Sequence, residues 1–77
     1  MKSPDNKIHL TKREFQVLNL MAKGLNNNSI AYNLSITSHT VKSHVASILK
    51  KLKAKDRLIA VIIGIKKGVL KINEIDV

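Results

Sequence analysis

The stretch NNNSIAYNLSITSHTVKSHVASILKKL, Asn26 to Leu52, decides how this chain folds. It carries two helical patterns with a short break between them. The first runs from about Asn27 to Leu34. Ile30, Ala31 and Leu34 form its apolar edge, and Asn26 or Asn27 can cap it. Ser35-Ile36 reads as a turn of two or three residues. Thr37 then caps a longer helix, its hydroxyl placed over the amides of the next turn. Projected at about 100° per residue, Val41, Val45, Ile48 and Leu52 of that helix share one face, with Leu49 at the border. The opposite face carries His39, Lys42, Ser43, Ala46, Ser47 and Lys50. It is small and polar at its start and cationic towards its end, where Lys50, Lys51, Lys53 and Lys55 crowd together.

The flanks add one helix on each side. Upstream, Thr11 and Glu14 make a capping box, and Leu10 and Phe15 stand at the two positions of a hydrophobic staple. Leu18, Met21 and Ala22 continue the Phe15 stripe, and Gly24 ends the helix. Downstream, Asp56 caps a helix that runs to about Lys67, with Gly68 as its stop. Leu58, Val61, Ile62 and Ile65 read as its core face, which leaves Ile59 and Ile63 on the outside, one turn apart. They are either stray surface aliphatics or the seam of a dimer. No stretch reads well as a strand, so the expected class is all-α with four helices. Residues 1–9 read as a flexible lead-in, 10–70 as the domain, and 71–77 as a tail.

Composition narrows the partner. The chain has 77 residues, enough for one small domain, and carries 14 Lys and Arg against 5 Asp and Glu, a net charge of +9. Such a balance points to a polyanion. With Phe15 and Tyr32 as the only aromatics, there are few platforms for stacking single-stranded bases. Cysteine is absent, which excludes disulfides and thiolate zinc sites and fits a cytoplasmic setting. The first ten residues lack the apolar run of a signal peptide. The longest apolar stretch, Leu58 to Ile65, is eight residues, where a membrane span needs about 20. His39 and His44 are five apart, off the usual metal spacing, and no nucleophile–base grouping, carboxylate pair or phosphate loop is present. The reading is therefore not an enzyme, with no metal and no cofactor.

Two helices joined by a tight turn, the second with a slim polar outer face, form a helix-turn-helix layout, here over about 26–45. Ala31 supplies the small residue at the crossing. Ile30, Leu34, Ile36 and Val41 fix its angle. Ser43, Ala46 and Ser47 keep the outer face narrow enough for a major groove about 12 Å wide. Lys42 can reach a guanine edge or a phosphate, and Thr40 can donate to phosphate.

From Leu10 to Val69 the chain resembles the LuxR/GerE-type helix-turn-helix domain, also found at the C-terminus of NarL-like response regulators. The resemblance rests on Leu10-Thr11-Lys12-Arg13-Glu14, Val17-Leu18, Gly24, Asn27, Ile30-Ala31, Leu34, Thr40-Val41-Lys42, His44, Ile48, Lys51-Leu52, Arg57, Ala60-Val61 and Gly68. It implies four helices, the third for recognition and the fourth for dimer contact, and control of transcription at two-fold symmetric sites on double-stranded DNA. RNA polymerase is a further partner it allows. The base-reading positions it implies are Lys42, Ser43, Ala46 and Ser47. The full set assigned to DNA is these four with Asn27, Thr37, His39, Thr40, His44 and Lys50. His44 reads equally as a phosphate contact or as a histidine packed beside the core. Ile59, Ala60, Ile63 and Lys67 are assigned to a homodimer seam. Arg13 and Glu14 read as structural, and Asp56 and Arg57 as a local cap and surface pair.

The chain departs from the family where Asn26-Asn27-Asn28-Ser29 replaces the usual Ser-Asn-Lys-Glu. The cap survives without its Glu partner, which costs the helix about 0.5–1 kcal/mol. Two other readings compete. A sigma-factor promoter-binding region shares the LT.RE…TVKS pattern but usually carries Arg where His44 stands, and it lacks a fourth helix with Ala60-Val61. A basic amphipathic membrane binder would need one broad cationic helix, not four capped ones with separate core faces.

Overall fold

The computed structural model describes residues 8–71, so most of the expected lead-in and tail lies outside the described residues. Four helices follow one another, α1 (Lys12–Ala22), α2 (Asn27–Leu34), α3 (Ser38–Leu52) and α4 (Arg57–Lys66), with no strand among the described residues. The all-α expectation holds, helix by helix.

Each helix starts where a side chain caps it. The Thr11 hydroxyl accepts the Glu14 N–H while the Glu14 carboxylate accepts the Thr11 N–H, so the capping box is complete. Asn26 caps α2 through Ser29 N–H, Thr37 caps α3 through Thr40 N–H, and Asp56 caps α4 through Ile59 N–H. Each of these bonds satisfies an amide that the first helical turn leaves without a partner.

Each helix also stops the same way, with paired backbone bonds that run back across a left-handed residue. Leu25 N–H reaches Leu20 C=O and Gly24 N–H reaches Met21 C=O at the end of α1, and Val69 to Gly64 with Gly68 to Ile65 repeats the pattern after α4. Gly24 and Gly68 hold the left-handed position at φ 89° and 78°. At the ends of α2 and α3 the same position falls to Ser35 (φ 58°) and Lys53 (φ 55°), where a Cβ is strained. Ser35→Gly should therefore raise the midpoint of thermal melting, by about 0.5–1 kcal/mol in stability. A lower midpoint would mean that the Ser35 side chain supports the turn.

The core forms around α3, which packs against each of the other three helices. Val41, Val45, Ile48 and Leu52 are all buried, as the projection requires, and Leu49 is half-buried at the edge. Val17, Leu18 and Met21 of α1, Ile30 and Ala31 of α2, and Ala60 of α4 complete it, with Leu70 folded back over α4. Ala31 is the small buried residue expected at the α2–α3 crossing.

Two faces differ from the expectation. Phe15 is exposed, so the buried stripe of α1 runs through Glu14, Val17, Leu18 and Met21 instead. In α4 the buried pair is Ala60 and Gly64, while Leu58 and Ile62 point outward at 69% and 42% exposure. The physical reason is size. A small pair one turn apart lets α4 approach the core closely, and Val61 and Ile65 of the expected face pack against the core while remaining partly exposed. Of the seam assigned to Ile59, Ala60, Ile63 and Lys67, burial removes Ala60. Ala60 is fully buried within the monomer and cannot take part in an outer contact, whereas Ile63 is partly buried against the core, Ile59 is half-buried and Lys67 is exposed.

Candidate nucleic-acid interface

The turn between α2 and α3 aims α3 outward. Ser35 reverses the chain, Ile36 tucks partly inside, and Thr37 starts the next helix. With Val41, Val45, Ile48 and Leu52 fixed inside, geometry forces His39, Lys42, Ser43, Ala46 and Lys50 to solvent, and all five are exposed. The result is a slim ridge: one long cation near its start, small residues through its middle and lysine at its end.

The start of the ridge is prepared for an acceptor. The Thr37 hydroxyl receives Thr40 N–H at 3.1 Å and donates to the Thr40 hydroxyl oxygen at 3.0 Å. The Thr40 hydroxyl proton is then free to donate outward, as a phosphate oxygen would require. Ser43 turns its hydroxyl back to His39 C=O at 3.4 Å, a weak bond that an incoming partner can replace. His44 is half-buried on the flank of α3.

An open cleft lies beside the ridge, lined by residues 24–28, Ser38, Lys42 and Arg57. Arg57 ties it together. One guanidinium nitrogen donates to Asn27 Oδ1 at 2.6 Å and the other to Leu25 C=O at 3.0 Å. Arg57 is thus not the local surface partner of Asp56; it pins the α1–α2 loop and the start of α2 to α4. Asn27 keeps its amide hydrogens as donors, but its oxygen is already committed. The sequence gives no local signal for this bond, because its ends are 30 residues apart.

Ser47 stands apart from the other residues of α3 assigned to DNA. It is half-buried, and its hydroxyl donates to Glu14 Oε2 at 2.6 Å. Lys51, one turn further along, donates to Glu14 Oε1 at 2.7 Å. Ser47 thus lies half-buried beside the exposed ridge with its hydroxyl turned to Glu14, and Lys51, itself exposed, directs its ammonium to the same carboxylate. Glu14 reads as structural, as expected, but its partners on α3 lie more than 30 residues away.

Burial pushes the Glu14 carboxyl up, and bonds from Lys51, Ser47 and the Thr11 N–H, with the Lys51 charge, more than reverse that, bringing it down to about 2. A carboxylate held below its unfolded value stabilises the fold above the unfolded range, near 4.5, and that stability is lost as pH falls towards 2. Acid titration of the wild type followed by circular dichroism should show stability falling between about pH 4.5 and 2. Glu14→Gln should flatten that loss, and an unchanged acid profile would contradict the assignment.

Among the described residues no group of His, Cys, Asp and Glu is placed to hold a metal, and no helix is long and apolar enough to cross a membrane. Residues 9–63 match the family described as bacterial regulatory proteins, luxR family. The chain is 44% identical over 73 residues to the transcriptional regulatory protein YdfI of Bacillus subtilis, covering 95% of this chain and 34% of that protein. It is 46% identical over 64 residues to the transcriptional regulatory protein DegU of Brevibacillus brevis, covering 83% of this chain and 27% of that protein. Over 62 residues it is 45% identical to the response regulator protein VraR of Staphylococcus aureus, 80% of this chain and 30% of that protein. The chain thus spans about a third of the length of these relatives. With the capped α2–turn–α3 unit, the exposed ridge and a match over most of its length, this chain belongs to the LuxR family of bacterial regulatory proteins.

Proposed function

We propose that this chain binds double-stranded DNA by placing α3 in the major groove, and that it does so within a cytoplasmic regulator of transcription acting as a dimer on two-fold symmetric sites. The observation that carries the reading is the ridge: Lys42, Ser43, Ala46 and Lys50 exposed on a helix whose other side is fully committed to the core. Its small central residues, Ser43 and Ala46, suit entry into a groove of about 12 Å. The names of the relatives, transcriptional regulatory proteins and a response regulator, support the same reading. RNA polymerase is the natural further partner of such a regulator.

Lys42 is the one long side chain in the first half of the ridge, so it is assigned to a base edge. Thr40, Thr37 and Lys50 are assigned to phosphates, with His39 and His44 at the margin and the Asn27 amide beside the α2 N-terminus. Three small residues, Ser43, Ala46 and the inward Ser47, leave little direct readout, so groove shape and backbone contacts carry much of the affinity.

Selection of bound sequences from random duplexes tests the proposal. It should return a two-fold symmetric motif with half-sites about one helical turn apart. Affinity should fall steeply with salt, with a log–log slope of roughly −4 to −5 per protomer for four to six phosphate contacts. A slope near zero would sink the DNA reading. Lys42→Ala should cost about 1–3 kcal/mol on the preferred duplex and little on a scrambled one, whereas Lys50→Ala should weaken both alike. Equal losses for Lys42→Ala on both duplexes would make Lys42 a backbone contact.

A further inference from the structure

Glu14 is 5% exposed and sits on α1, not on the exposed ridge of α3. Its two oxygens accept from three donors: Thr11 N–H on its own helix, and Ser47 and Lys51 on α3. The last two stand one turn apart on a single flank of α3, next to the exposed face. All other side chains that α3 buries are aliphatic: Val41, Val45, Ile48 and Leu52. Apolar contact is non-directional and tolerates a small roll or slide of the helix. Hydrogen bonds to a fixed carboxylate do not, because they weaken steeply with angle.

A buried ion pair is a weak source of stability, since an apolar set of the same volume often does as well. Its distinct product is a defined geometry. We infer that Glu14 is a positioning residue for DNA recognition, clamping the Ser47–Lys51 flank of α3 so that the ridge meets the groove at one rotation. This rests on the DNA reading above. The clamp also withholds the Lys51 ammonium from phosphate, so the lysine run contributes Lys50, Lys53 and Lys55 without it.

Three variants of the chain test this against the preferred duplex and a scrambled one, with folding followed by circular dichroism. Glu14→Met keeps the bulk and removes the acceptors. Its preference for the selected duplex should drop about tenfold, the discrimination that one well-aligned base-edge bond supplies, while scrambled duplex binds as well or better because Lys51 is freed. Glu14→Gln keeps an acceptor for Thr11 and Lys51 and can donate to the Ser47 oxygen, so it should retain most of the preference. Lys51→Met, at a half-exposed position, covers the case in which Glu14→Met fails to fold. It should lower the preference with no change in salt slope, whereas a phosphate-binding lysine would weaken both duplexes and reduce the slope by about one. Folded variants that keep the wild-type preference would overturn the positioning role alone. A wild-type chain with no preferred duplex would overturn the DNA reading, and this role with it.

Discussion

Ile48→Ala should leave a large fraction of the chain unfolded at room temperature. Ile48 is fully buried in α3, the helix that touches all three others, so the methyl groups it loses line the middle of the only core among the described residues. Removing them costs about 2–5 kcal/mol, part transfer and part cavity. A domain of this size holds roughly 4–12 kcal/mol in total, and small domains lie towards the lower end because they bury less of their surface. The melting midpoint should fall by roughly 10–30 °C. Val41→Ala and Leu52→Ala should follow it with smaller and comparable losses. The exposed Tyr32 provides the control, since Tyr32→Ala should stay within about 0.5 kcal/mol of the wild type. An unchanged midpoint for Ile48→Ala would mean that the core face of α3 is phased differently, and the ridge with it.

That phase is readable from residue order alone because α3 alternates clearly: aliphatics recur every three or four residues between small and polar ones. The caps are equally readable, since Thr11, Thr37 and Asp56 each stand just ahead of an apolar run. The α4 segment offers no such contrast. Leu58 to Ile65 is apolar at every position, so period carries almost no information and size has to decide. Size favours the bulky residues, but the helix buries its two smallest, Ala60 and Gly64, and exposes Leu58 and Ile62. Small residues one turn apart within an apolar run are the signal available. The site is legible along its ridge and illegible at its supports. Ser47 looks outward on a helical wheel and Arg57 looks local, yet both are committed to partners 30 or more residues away. An acidic residue falling on the buried side of α1, as Glu14 does beside Val17 and Leu18, is the one hint that α3 has to supply cations and donors inward.

The corrected phase of α4 changes which substitution tests assembly. Ile63→Glu would drive a carboxylate against the core and cost folding, so it cannot isolate a dimer contact. Ile62→Glu can. Ile62 and Leu58 stand one turn apart on the outer side of α4, and both are exposed in the monomer. If two copies meet there, the seam is one helix face against its twin, smaller than a typical stable interface. The dimer should then be weak in free solution and strong once DNA holds two copies on adjacent half-sites, because the second contact forms at an effective concentration near millimolar. Ile62→Glu places two like charges beside the axis and removes the apolar packing there, while Ala60 and Gly64 keep the helix docked. The variant should melt as the wild type does and bind a single half-site unchanged. On a duplex with two half-sites its affinity should fall about a hundredfold, and cooperativity should disappear. Gel-shift titration on one-site and two-site duplexes, with sedimentation in the absence of DNA, separates these outcomes. Wild-type cooperativity in Ile62→Glu would place the seam on another surface or leave each copy acting alone.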